Sequence, residues 1–170
     1  CDLDPQGHSA DPAKHDVAVV VIGERPYAEG LGDIRSGEDV LIREGSQIRG
    51  KLKMLEPYGR TAALEALHPE DLETLTRLKA TGIPVVTVML CGRPLATDPE
   101  LAQSDAFVVG WLPGSEGAGI GEALFAAQPA GEALFPGRLP FAWPKDGGAP
   151  QWQGDEQENV RFPRGFPWPR

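Results

Sequence analysis

Two glutamates five positions apart, Glu24 and Glu29, stand in the stretch VAVVVIGERPYAEGLGD, Val17 to Asp33. A carboxyl group just beyond the end of a buried strand can act as general acid or general base if its surroundings bring its pKa near the working pH. Asp33 adds a third carboxylate, Tyr27 an aromatic face on which a ligand could stack, and Pro26, Gly30 and Gly32 shape the loop. The plainer alternative is that both glutamates are solvated loop charges, or that Glu24 hydrogen-bonds a neighbouring turn. Residue types alone favour that alternative.

Other chemistries find less support. The run GSEGAGIG, residues 114–121, invites a dinucleotide fingerprint. After Gly117 and Gly119 the third glycine would have to fall at Glu122, and no lysine completes a phosphate loop. A tight strand-to-helix turn with Ser115 as cap is the better reading. His8, His15 and His68 are scattered without ligand spacing, so no metal site and no cofactor is expected. GxSxG is absent, and Cys91 follows an apolar run and reads as a buried thiol rather than half of a disulfide with the terminal Cys1.

The elements that must position these residues follow from the hydrophobic pattern. DVAVVVIG is a continuous β-branched run, the signature of a strand buried on both faces of a parallel sheet. IPVVTVMLCG, residues 83–92, and AFVVGWL, residues 106–112, repeat it, and GRLPFAW, residues 137–143, reads as a last short strand or extended segment whose Pro140 suits an edge. Between them LHPEDLETLTRLKATG signs a helix. Pro69 takes the first helical position after a cap at His68, Glu70 and Asp71 lie in the positive first turn, Leu67 and Leu72 are spaced as a staple, and Gly82 is the stop. TDPELAQSD, residues 97–105, fits a short helix capped by Thr97 or Asp98, and residues 113–127 fit a Gly-rich turn feeding another. Residues 30–66 mix short apolar patches with glycine and charge, and irregular structure with a short helical turn is expected there. The alternation predicts an α/β fold, a mostly parallel sheet with helices on both faces. Residues 1–15 read as an arm or linker remnant, 16–144 as the domain, and 145–170 as an extended tail.

The length of 170 residues suits one domain, and the net charge of −9 argues against nucleic acid and against anionic membrane as partners. No apolar run approaches the ~20 residues that span a bilayer, and no signal peptide is visible. The chain does not begin with Met, which fits either processing or a piece of something longer.

Four blocks in order, VAVVVIGERPYAEGLGD, YGRTAALEALHPEDLETLTRLKATGIPVVTVMLCGRPL, SDAFVVGWLPGSEGAGIGEALF and GRLPFAW, make the chain resemble the second, α/β sandwich domain of glycoside hydrolase family 3. The closing NVRFPRGFPWPR is similar to the family's LFPxGxGL ending as far as Phe166. The family contains exo-acting β-glucosidases and β-glucan exohydrolases that work by a two-step retaining mechanism. The resemblance implies a substrate with a terminal β-D-glucosyl residue, a β-glucoside or β-glucan oligosaccharide. It implies a nucleophile on a separate barrel domain and a periplasmic or secreted location. Gly23 to Asp33 is similar to the family's GExPYxExxGD loop, whose second glutamate is the acid/base. The carry-over falls on Glu29 as the catalytic residue, with Glu24 as a supporting carboxylate and Tyr27 and Asp33 as loop supports or substrate contacts.

The barrel and the first part of the sandwich domain, with its aromatic block, have no counterpart in these residues. One carboxylate of a pair that stands roughly 5–5.5 Å apart should do little alone, so the isolated chain is expected to be inactive. Arg93 in GRPL and Glu116 in WLPGSEG fall at strand ends, where they could pair with each other or hold the loop. The rival reading is a non-catalytic carbohydrate-binding or interaction module of the same fold. Trp111 and Trp143 then serve packing, and Trp152 and Trp168 are freer to meet a sugar. A generic nucleotide-binding domain is a third reading.

Overall fold

The computed structural model describes residues 3–4, 8, 11–24, 61–126, 137–147 and 159–167, with the backbone of 35–36, 39–40, 46–48 and 51–53. Its strands are β1 (Ala18–Gly23), β2 (Arg35–Ser36), β3 (Asp39–Val40), β4 (Ser46–Ile48), β5 (Lys51–Lys53), β6 (Val85–Leu90), β7 (Ala106–Trp111), β8 (Trp143–Pro144) and β9 (Val160–Phe162). Its helices are α1 (Leu64–Leu67), α2 (Pro69–Ala80), α3 (Asp98–Ala102) and α4 (Gly117–Phe125). Tyr27, Glu29, Asp33, Trp152 and Trp168 lie outside the described residues.

The three apolar runs form one parallel sheet in the order β1-β6-β7. Ala18 faces Val85 and Gly23 faces Leu90, while Val86 faces Ala106. Helices cover both faces. Leu75 of α2, fully buried, joins Ile22, Val85 and Met89 in the core. On the opposite face Gly110 lies beside Ile120 of α4, Leu90 and Val88, with no room for a Cβ. Burying a side chain such as Leu75 is worth about 1.5–3 kcal/mol, which is why a helix with one leucine stripe docks at all. The ends of α2 follow local rules: Pro69 opens it, His68 is its N-cap position and Gly82 leaves it at φ +82°. At the far end of the sheet Asp105 accepts from Lys79 Nζ at 2.6 Å and from the Val85 amide at 2.8 Å. Those two donors hold its carboxyl below the ordinary range and tie the exit of α2 to the start of β6.

Several expectations need correction. Residues 137–143 add no fourth strand to the parallel sheet. Trp143–Pro144 pairs antiparallel with Val160–Phe162, and Arg138 bridges Pro167. A proline cannot donate to a ladder, and Pro140 and Pro144 leave this segment short of the donors a longer strand needs. The expected tail therefore returns to the fold through β9. The run in β1 is buried on one face only among the described residues. Val19 and Val21 are 43% and 62% exposed. Residues 30–66 contain two short antiparallel pairs, β2 with β3 and β4 with β5, besides the helical turn α1. Ser115 does not cap α4. Its hydroxyl donates to Glu116 Oε1 at 2.9 Å, and Glu116 occupies the N-cap position. Thr97 takes the cap position of α3 without a side-chain bond.

Gly23 is required by close approach. A Cβ there would collide with the Leu90 carbonyl, a backbone group that cannot swing aside. Gly23→Ala is expected to cost about 1–3 kcal/mol as overpacking does. At roughly 2–4 °C per kcal/mol for a chain of this size, thermal melting followed by circular dichroism should show a clear drop. An unchanged Tm would mean that β1 has slack at its end.

Candidate functional site

Because the three strands run parallel, Gly23, Leu90 and Trp111 end on one rim, and in open α/β sheets ligands bind beyond such carboxyl ends. Glu24 stands on this rim. Its amide donates to the Leu90 carbonyl at 3.0 Å, extending the β1–β6 ladder by one residue. One residue earlier, the Gly23 amide donates to Asp71 Oδ2 at 3.3 Å, so the first turn of α2 also grips the strand end. The Glu24 side chain is 1% exposed. Arg93 Nε and Nη2 donate to its Oε1 at 3.0 and 2.9 Å, and Nη2 also reaches the Thr61 carbonyl at 3.3 Å. Glu24 is thus committed to a buried ion pair.

Arg93 pairs with Glu24 and Thr61 rather than with Glu116, which instead accepts from Ser115. Among the described residues no group of three or more His, Cys, Asp or Glu side chains could hold a metal ion. In the same residues no helix is long and apolar enough to cross a membrane.

Cys91, next to the rim, is 1% exposed and its amide donates to the Trp111 carbonyl at 3.1 Å. Burial pushes its thiol up to about 12, with the charge of Glu24 adding to the effect. A thiol held protonated is a poor nucleophile. In a Cys1→Ser background the folded chain should give no reaction with Ellman's reagent at pH 8 over minutes and one equivalent once denatured. Rapid reaction in the folded chain would show that the pocket opens.

Trp111 closes β7 at φ 52°, the one non-glycine residue at positive φ among those described. The ladder slips there: Leu90 faces Trp111, so Gly110 is bulged out. Trp111 is 38% exposed and meets Phe141 edge-on at 5.7 Å and Trp143 at 6.0 Å. Trp143 is buried, with its Nε1 donating to the Leu95 carbonyl at 2.6 Å. These rings, with Phe107, Phe162 and Phe166, line a cleft of about 840 Å³ along the outer side of β7. Glu24 and Arg93 do not line it, so this cleft and the charged rim are separate features.

Two arrangements escaped the residue-level reading. One is Arg93 holding Glu24 and Thr61 together, for which a lone arginine in an otherwise apolar turn at a strand end was the available sign. The other is Glu100. Its place in the first turn of α3 reads as a surface acid favoured by the helix dipole, yet it is 0% exposed and neither carboxyl oxygen has a hydrogen-bond partner among the described residues.

Comparison with known proteins adds an independent finding. The profile of the glycosyl hydrolase family 3 C-terminal domain matches residues 3–167. A periplasmic beta-glucosidase of Salmonella typhimurium is 40% identical over 77 residues, 45% of this chain and 9% of that protein. A lysosomal beta glucosidase of Dictyostelium discoideum is 32% identical over 152 residues, 87% of this chain and 15% of that protein. The crystal structure of an exo-1,3/1,4-beta-glucanase from a Pseudoalteromonas species superposes with a TM-score of 0.63 at 37% identity, covering 90% of this chain and 16% of the other. The chain therefore spans less than a fifth of the length of each of these relatives.

Proposed function

The chain belongs to glycosyl hydrolase family 3 as that family's C-terminal domain, and we propose that it is the acid/base-bearing part of a retaining, exo-acting β-glucosidase. Glu29 is the proton donor in this reading. Its carboxylic acid gives a proton to the glycosidic oxygen as that bond breaks, while a carboxylate on a barrel domain attacks the anomeric carbon. The Glu29 carboxylate then takes a proton from the water that displaces the nucleophile and releases glucose. Tyr27 and Asp33 support the loop or touch the sugar.

The observation that carries the reading is the rooting of the loop. Glu24, five residues before Glu29, is locked at the carboxyl end of β1 by Arg93 and by the Leu90 carbonyl. A catalytic group on a loop must leave from a fixed point to be held in reach of a bond. The relatives' names, beta-glucosidase and exo-1,3/1,4-beta-glucanase, supply the substrate class.

The experiment joins this chain to a family 3 barrel domain and compares Glu29→Gln with the parent on β-glucosides of poor and good leaving groups. Normal turnover of the poor substrate by Glu29→Gln would end the assignment. Sugar binding by the isolated chain that survives Glu29→Gln, with no turnover in the joined protein, would point to the non-catalytic module.

A further inference from the structure

Arg93 touches two places that are adjacent in space and far apart in the chain: the Glu24 carboxylate and the Thr61 carbonyl. These are the two residues that flank residues 25–60, the segment carrying Tyr27, Glu29 and Asp33. We propose that Arg93 is a positioning residue that clasps both feet of this segment, setting where it leaves the sheet and where it re-enters the fold.

Each foot is built to be held. At the first, Glu24 is fixed by the Leu90 carbonyl behind its amide, and Gly23 before it by Asp71. At the second, the Thr61 hydroxyl donates to the Gly147 carbonyl at 3.1 Å and the Ala62 amide donates to the same carbonyl at 3.2 Å. Ala62 and Leu64 then exchange bonds with Ala96, at 2.8 Å from the Ala96 amide and 3.0 Å to the Ala96 carbonyl. The first set belongs to the sheet and the second to the α1 entry. Arg93 joins the two sets. It is itself held three residues beyond β6, between the buried Cys91 and the fully buried Leu95.

The side chain suits the task. A guanidinium offers donors in a planar fork, so one group can serve a carboxylate with Nε and Nη2 and still turn an N–H to a carbonyl. A lysine ammonium keeps the charge without that geometry. The pair is dry, 16% and 1% exposed at the two side chains, so removing either partner weakens the support of a buried charge. Pinning both ends of a long segment also removes much of its freedom of placement. The catalytic consequence rests on the proposed acid/base role of Glu29; the clasp itself does not.

Two readouts separate those claims. The first is amide hydrogen exchange by NMR on the full 170-residue chain, comparing the parent with Arg93→Met, Arg93→Lys and Glu24→Gln. The clasp predicts exchange at least about tenfold faster at the Glu24 and Leu64 amides in Arg93→Met, an intermediate rise in Arg93→Lys, and no change at Val86 and Val88 within the sheet. The second is turnover in the protein joined to a barrel domain. A misplaced acid should lower kcat about tenfold for a poor leaving group, with KM within about twofold and a good leaving group nearly unaffected.

Unchanged exchange at either foot overturns the clasp, as does a loss equal across leaving groups that merely follows the fall in Tm. Faster exchange at both feet together with an inert Glu29→Gln substitution keeps the clasp and removes the acid/base reading. If Arg93→Met does not fold, Arg93→Lys and Glu24→Gln carry the same comparison.

Discussion

Glu29→Gln, in the chain joined to a family 3 barrel domain, is expected to lower kcat on a poor leaving group by about 10²–10⁴-fold, the usual worth of a positioned general acid. The amide keeps the size of the side chain and removes its proton. A substrate whose leaving group departs as a stable anion does not need that proton, so the loss should shrink towards nothing for an activated aryl glucoside in the first step. In the proposed second step the same residue would work as base, so Glu29→Gly should hydrolyse its glycosyl-enzyme slowly. Azide, small and anionic, can enter the vacated space and attack without a base, and should restore turnover as a glycosyl azide. Glu24→Gln should act differently. Its carboxylate is 1% exposed and held by Arg93, so its loss should register in stability and loop placement and should not be rescued by azide. Equal behaviour of the two variants across leaving groups would place the proton donor elsewhere.

The second large effect concerns Glu100. Burial pushes its carboxyl up to about 7, and the carboxylates of Glu65 and Asp71 add to the shift. A carboxyl in this state is protonated in the folded chain well above the pH at which it ionises in the unfolded one. The unfolded state therefore loses its proton first as the pH rises. The associated stability is fully present below about 4.5, the ordinary value, declines through the interval up to about 7, and is gone above it. At 1.36 kcal/mol per pKa unit the whole effect is on the order of 3 kcal/mol, or several degrees of Tm. Glu100→Gln keeps the shape and cannot ionise, so its Tm profile should lack this decline. The test is the difference between the parent and variant profiles from pH 5 to pH 8, because other groups titrate in both. Parallel profiles would show that water or a partner group reaches Glu100.

Much of the framework was legible beforehand because it is written locally. The β-branched runs of β1, β6 and β7 mark strands without reference to any distant residue. Helix α2 announces itself by Pro69, by its acidic first turn and by Gly82, each acting within one turn of its own position. Edges were harder. The segment ending in Trp143 has the composition of a strand, yet its partner is Val160–Phe162. No periodicity within a strand encodes the identity of its neighbour.

What the sequence by itself determined is the three parallel strands, the helices between them and the family. Tertiary structure alone decided which charges meet. Arg93 lies 69 residues from Glu24 and 32 from Thr61 along the chain, and its choice between Glu24 and Glu116 depends on which strand end the chain brings beside it. Glu100 is buried for the same reason. Propensity, capping and dipole act over a few residues, whereas burial and ion pairing act over whatever the folded chain places within a few ångströms.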